Sequence, residues 1–155
     1  MAINPQIDQT RLPKHVAVSM DGKGRWAKQG GKVRTFGHQH GVTAVRETAE
    51  TAAEMGIEYL TLYAFSTENW KRPKYEINAL MTLLVKTIHK ETETLTKNDI
   101  KLNAIGDLSS LPKSCYRELM EAIEITKGNT RMTLTLALSY SSRWEMVQAV
   151  RTIAK

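Results

Sequence analysis

The chain has 155 residues, 41% of them hydrophobic, one cysteine and a formal charge of +6. Such a composition buries one core and excludes the disordered, collagen-like and disulfide-rich classes. No stretch approaches the ~20 apolar residues of a membrane span, and the polar first residues lack the apolar run of a signal peptide.

A cytoplasmic protein is therefore expected, and the lone Cys115, set in a helix-like turn, fits a reducing compartment. The positive charge narrows the partners to anions without choosing between nucleic acid, a membrane surface and phosphorylated small molecules.

In chain order, the β-rich run at 15–20 reads as a strand that ends in the tight turn Asp21, Gly22, Lys23, Gly24. Val45, Ala49 and Ala52 share a helical face from Val42 onward, and Gly56 stops that pattern. A second strand at 59–65 gives way to a polar loop at 66–73. The spacing of Ile77, Leu80, Met81, Leu84, Ile88 and Leu95 predicts a long amphipathic helix.

A third strand spans 100–105. A helix after Pro112 is then expected to bury Tyr116, Leu119, Met120 and Ile123. Gly128 and Asn129 end it, and 132–138 forms a fourth strand. Trp144, Val147, Ala149, Val150 and Ile153 begin one more helix, which reaches Lys155 without a stop signal, as in a chain cut from a longer one.

Strands alternating with helices imply an α/β fold: a mainly parallel sheet flanked by helices on both faces, in one domain over 1–155. It is Rossmann-like without binding a dinucleotide. Function is expected beyond the carboxyl ends of the strands, which places 21–25, 66–72 and 139–143 along one edge.

The loop after the first strand carries Asp21, Gly22, Gly24, Arg25, Trp26, Lys28, Lys32, Arg34 and His38. Glycines at a strand-to-helix turn let backbone N–H groups approach phosphate, and Arg25, Arg34 and His38 complete a candidate diphosphate cradle. An acidic residue in such a site points to Mg²⁺ bridging carboxylate and phosphate; the alternative makes Asp21 a turn residue beside a solvated basic face.

Other phosphate motifs fit less well. Residues 22–27 match G-x-G-x-x-A, but the region about 20 residues on is helical, where a dinucleotide site wants an acidic strand end. Gly31 and Lys32 resemble the end of a P-loop, yet Val33 stands where Ser or Thr is required. His38 and His40 fall on different helix faces, so His40, like His89, reads as a surface residue.

In the polar loop, Trp70 is costly to expose, and Asn69 and Arg72 are diphosphate-competent donors. An Asx-type turn with Trp70 packed into the core and Pro73 starting a helix is the alternative there.

Residues 15–17, 20–22, 24–27, 36–38 and 62–73, with 105–107 and 142–145, closely resemble bacterial undecaprenyl diphosphate synthases, which are cis-prenyltransferases. The resemblance runs from Leu12 onward. It implies a homodimeric, Mg²⁺-dependent enzyme that condenses isopentenyl diphosphate onto farnesyl diphosphate with cis double bonds. Peripheral membrane contact for product release is implied as well, and nucleic acid is not a partner.

Carried over by that resemblance, Asp21 binds the metal and assists departure of diphosphate. Gly22, Lys23, Gly24, Arg25, Trp26, Arg34 and His38 hold the allylic substrate. Asn69 orients a proton acceptor, with Ser66, Thr67, Glu68, Trp70 and Arg72 around the substrates. The helices beginning at Val42 and Ile77 would wall an apolar tunnel, or serve as plain core.

Three departures stand out. Lys23 replaces the asparagine of the motif, and its ammonium is expected to pair with Asp21 and compete with Mg²⁺. Ser19 puts a hydroxyl where the strand usually carries an aliphatic residue. The resembling proteins continue beyond position 155 with an Arg-rich segment and a second acidic ligand, so little or no synthase activity is expected of this chain alone. A non-catalytic scaffold subunit is the alternative.

Overall fold

The computed structural model describes residues 7–155, apart from the side chains of Gln9, Arg34, Thr35, His38 and Gln39. Four strands, β1 (His15–Ser19), β2 (Tyr59–Ser66), β3 (Ile100–Ile105) and β4 (Met132–Tyr140), form one sheet in the order β1-β2-β4-β3. Every pairing is parallel. The helices are α1 (Lys23–Gln29), α2 (Arg34–Met55), α3 (Lys74–Lys97), α4 (Lys113–Thr126) and α5 (Ser142–Ile153).

Register explains which sheet face is buried. Val16, Leu60 and Leu134 lie abreast, as do Val18, Leu62 and Leu136, with Leu102 beside Leu134. Side chains alternate across a strand, so this set shares one face. It packs with Ala49 and Ala53 of α2, Ile77, Met81 and Ile88 of α3, and Cys115, Leu119 and Ala122 of α4. Burying each large aliphatic side chain contributes about 1.5–3 kcal/mol. The alternate residues His15, Ser19, Tyr59, Tyr63, Lys101 and Asn103 are exposed.

Two expectations change. The segment from Asp21 to His38, expected as the loop after the first strand, is largely helical. Gly22, at φ 87°, makes the left-handed turn that lets α1 begin at Lys23, and α2 starts eight residues before Val42. The signal was masked by Gly37 and Gly41, which lower helix propensity but leave room for close packing. A Cβ at Gly37 would collide with the Lys23 carbonyl.

The second change concerns α4. Cys115, Leu119, Ala122 and Thr126 form its buried stripe, while Tyr116 is exposed. A one-residue rotation of the stripe puts the large ring at the rim, where its hydroxyl reaches water. On α5, Met146, Val147, Val150 and Ile153 are exposed. No helix among the described residues is long and apolar enough to cross a membrane.

Candidate functional site

At the carboxyl end of β1 the backbone turns at Gly22, and Asp21 folds back over the turn. Its Oδ1 accepts from the Gly22 N–H at 2.6 Å and its Oδ2 from Arg25 Nη2 at 3.3 Å. Both side chains of this i,i+4 pair are largely exposed, so the pair itself stabilises by less than about 1 kcal/mol. The carboxylate is turned to solvent beside its guanidinium.

Lys23 does not make the expected pair with Asp21; Arg25 takes that place. The lysine runs instead across α2 at Gly41, where a Cβ would lie 2.5 Å from Lys23 Cδ and 3.2 Å from Nζ. Burial there pushes the ammonium pKa down.

At the end of β2, residues Thr67–Lys71 form a 3-10 turn with reciprocal capping. Ser66 Oγ accepts from the Asn69 backbone N–H, and Asn69 Oδ1 accepts from the Ser66 N–H at 3.2 Å. This fixes the Asn69 carboxamide, with its oxygen occupied and its NH₂ left as donor. Glu68 is held below the usual carboxylate range, first by its own backbone N–H and then by the Ser66 hydroxyl. Arg72 Nη1 donates to Oε1 of the buried Glu76 at 3.0 Å.

One cavity of about 630 Å³ joins these two segments and continues between α2, α3 and the sheet. Ser19, Asp21, Gly22, Lys23, Gly24, Arg25, Ser66, Asn69 and Arg72 form its polar mouth. Val45, Ala49, Leu80, Leu84, Ile88, Leu102 and Leu134 line its apolar body. A charged mouth on an apolar body suits an amphiphile with an anionic head.

Not every candidate meets there. Trp26, 54% exposed, stacks on Phe36 with ring centroids 6.2 Å apart, outside the lining. Thr67 and Glu68 also lie off the cavity, and so does Trp70, whose indole edge meets Phe65 and whose Nε1 donates to Ser139 Oγ at 2.9 Å. Trp70 is thus the core residue of the alternative reading. The Arg34 and His38 side chains lie outside the described residues.

Sequence reasoning missed Arg46, Glu50, Glu76 and Glu91, all of which line the cavity. Arg46 Nε donates to Glu91 Oε2 at 2.8 Å and Nη2 to Oε1, a two-pronged bridge from α2 to α3. The hydrogen bond to Glu91 raises the Arg46 pKa first, and the charge of Glu91 adds to it. The signal was present in the spacing: Arg46 stands four residues from Val42 and three from Ala49, and Glu91 three from Ile88 and four from Leu95. A charge inside an apolar stripe calls for a partner.

Among the described residues no three His, Cys, Asp or Glu side chains cluster as a metal cage. Mg²⁺ is commonly held by one or two carboxylates with waters and substrate phosphates. The exposed Asp21 carboxylate at the cavity mouth fits that arrangement, in which the ion travels with a diphosphate.

A family profile described as "Putative undecaprenyl diphosphate synthase" matches residues 19–155. An isoprenyl transferase of Clostridium tetani is 51% identical over 97% of this chain and 59% of its own length. A ditrans,polycis-undecaprenyl-diphosphate synthase of Haemophilus influenzae, described as (2E,6E)-farnesyl-diphosphate specific, is 48% identical over 97% of this chain and 63% of its own.

Among solved structures, lavandulyl diphosphate synthase from Lavandula x intermedia, in complex with dimethylallyl diphosphate, superimposes with a TM-score of 0.89. It is 35% identical over 92% of this chain and 61% of that one. A Campylobacter jejuni protein described as a probable undecaprenyl diphosphate synthase gives 0.75, also at 35% identity, over 91% of this chain and 61% of that one. This chain spans about three fifths of the length of these relatives. Profile, relatives and superimposed folds agree over nearly all of its residues, and the chain belongs to the undecaprenyl diphosphate synthase family.

Proposed function

We propose that the cavity holds an allylic diphosphate, its head at the Asp21 turn and its tail between α2 and α3. The reaction served is cis-condensation of isopentenyl diphosphate onto farnesyl diphosphate. The observation that carries this reading is the continuity of one cavity from a mouth of Asp21, Arg25 and Arg72 into a body lined by aliphatic side chains. The (2E,6E)-farnesyl-diphosphate specificity in the names of two relatives supports the choice of allylic substrate.

Breaking the allylic C–O bond leaves the electron pair, and negative charge, on the departing diphosphate. Mg²⁺, when bound, would supply charge neutralisation to those oxygens. Asp21 would hold the ion, and Arg25, released from Asp21, would donate to the same oxygens; donors aimed at developing charge lower the barrier. Asn69, held by its cap, turns its NH₂ to the second substrate, whose double bond supplies the electron pair of the new C–C bond, and orients the departing diphosphate as acceptor of the proton then lost. Val45, Leu80, Leu84 and Ile88 shield the tail from water. A second copy of the chain as partner and a membrane surface that receives product extend the same reading.

The half-buried Lys23 ammonium favours one second reading, a non-catalytic subunit, because it stands where the motif has asparagine. Calorimetric titration with farnesyl diphosphate separates the two. Mg²⁺ tightening binding at least tenfold, with Asp21→Ala removing that tightening, is expected of the enzyme-derived site. No binding with or without Mg²⁺ would leave the scaffold.

A further inference from the structure

The proposed head-and-tail orientation leaves the bridge between Arg46 and Glu91 without a role. The Arg46 side chain is 37% exposed and that of Glu91 14%, so the guanidinium keeps contact with water while the carboxylate is mostly withdrawn from it at the cavity wall. Thr87 and Thr94, one turn to either side of Glu91 on α3, also line the cavity, as does Glu50, one turn after Arg46 on α2. These five residues make a polar band in facing stripes that are otherwise aliphatic.

The depth of the band follows from helix geometry. Glu76, at the mouth, and Glu91 are fifteen residues apart on α3, which at 1.5 Å per residue is about 22 Å. Below it the cavity becomes aliphatic again at Leu95, Ile100, Leu102 and Leu134. A tail ending above the band meets only aliphatic groups. A longer one must pass helices tied together by a bridge that cannot part without leaving the mostly buried Glu91 carboxylate unpaired.

We propose that the Arg46–Glu91 bridge is a tail-length selector: it fixes the separation of α2 and α3 at that depth and sets the longest aliphatic chain the cavity accepts. The assignment rests on the diphosphate reading of the mouth. The two residues touch the tail, not the reacting atoms, so they determine specificity without taking part in the chemistry.

The test is binding of a series of n-alkyl diphosphates of increasing length, with Mg²⁺, to this chain. Each added methylene should tighten binding about fourfold while it enters aliphatic surroundings. The rise should then stop at one length. In the double variant Arg46→Leu with Glu91→Leu the rise should continue beyond that length. The charge swap Arg46→Glu with Glu91→Arg should restore the break, and Glu91→Gln, close in shape, should shift it if the leucine pair does not fold.

A break at the same length in the folded variants, or no break in the unaltered chain, overturns the selector while the diphosphate reading stands. Failure of every alkyl diphosphate to bind the unaltered chain overturns both.

Discussion

The indole of Trp70 is tied to Ser139, whose Oγ accepts from Nε1 at 2.9 Å and is met on its other side by the Ser110 hydroxyl at 2.8 Å. Ser139 is buried and sits at φ 49°, a left-handed conformation uncommon outside glycine. Three segments, the turn after β2, the turn after β3 and the end of β4, thus converge on one hydroxyl. Ser139→Ala leaves the indole N–H unpaired, and a loss of about 1–3 kcal/mol is expected in urea denaturation. Ser139→Gly, which relaxes the backbone, should cost less than the alanine.

Asp21 and Arg25 are expected to fail differently. Asp21→Asn keeps the hydrogen bond from Gly22 but removes the charge, so the Mg²⁺-dependent part of farnesyl diphosphate affinity should disappear while the metal-free part remains or rises. Arg25→Gln should weaken binding with and without metal by about tenfold, in line with loss of a charge-assisted bond. Calorimetry at two Mg²⁺ concentrations resolves the two patterns.

Lys23 and Gly41 should be energetically coupled. Gly41→Ala forces the lysine stem aside, and a cost of about 1–3 kcal/mol is expected for overpacking. With Lys23→Asn as background, the shorter side chain leaves the space open and the same alanine should cost much less. A double-mutant cycle by thermal or urea unfolding reads that difference directly. Because Lys23 is not paired with Asp21, Lys23→Asn should leave the Mg²⁺ concentration needed for half-maximal substrate binding unchanged within about twofold; a severalfold fall would restore the ammonium as a competitor of the metal.

Alkaline pH should weaken the fold through two groups. Burial pushes the Cys115 thiol up to about 11 from 9.0, and the Glu145 hydrogen bond, foremost, pushes the Tyr140 phenol up to about 12 from 10.0. The unfolded chain loses these protons first, so it binds fewer protons across each window and stability falls as pH rises. The loss runs from about pH 9 to 11 for Cys115 and from about pH 10 to 12 for Tyr140. Cys115→Ala should flatten the first part of the decline and Tyr140→Phe the second, as measured by denaturant midpoints across the range.

How legible these features were in the sequence depends on how local their causes are. The strand at 100–105 and the periodic stripe of α3 follow from nearest neighbours, and the structure has them where their residues indicate. The α1–α2 hairpin was obscured because its glycines serve contact between two helices, which local propensity does not register. Asp21, Arg25, Asn69 and Arg72 converge as the strand order requires, since parallel strands bring their carboxyl ends to one edge. Trp70 looked like a ligand contact because only tertiary structure supplies Ser139 as its partner. Arg46 and Glu91 were missed because each seems misplaced until the other helix is set beside it.

The crossing of Lys23 over Gly41 also constrains the order in which these two positions can change. A lysine at 23 keeps this path only while 41 carries no side chain, whereas the glycine at 41 makes no demand on 23 beyond room for its backbone. A lineage that filled position 41 first would receive a lysine at 23 only with its flexible stem turned elsewhere, and one that has acquired the lysine fills 41 at the cost of moving that stem.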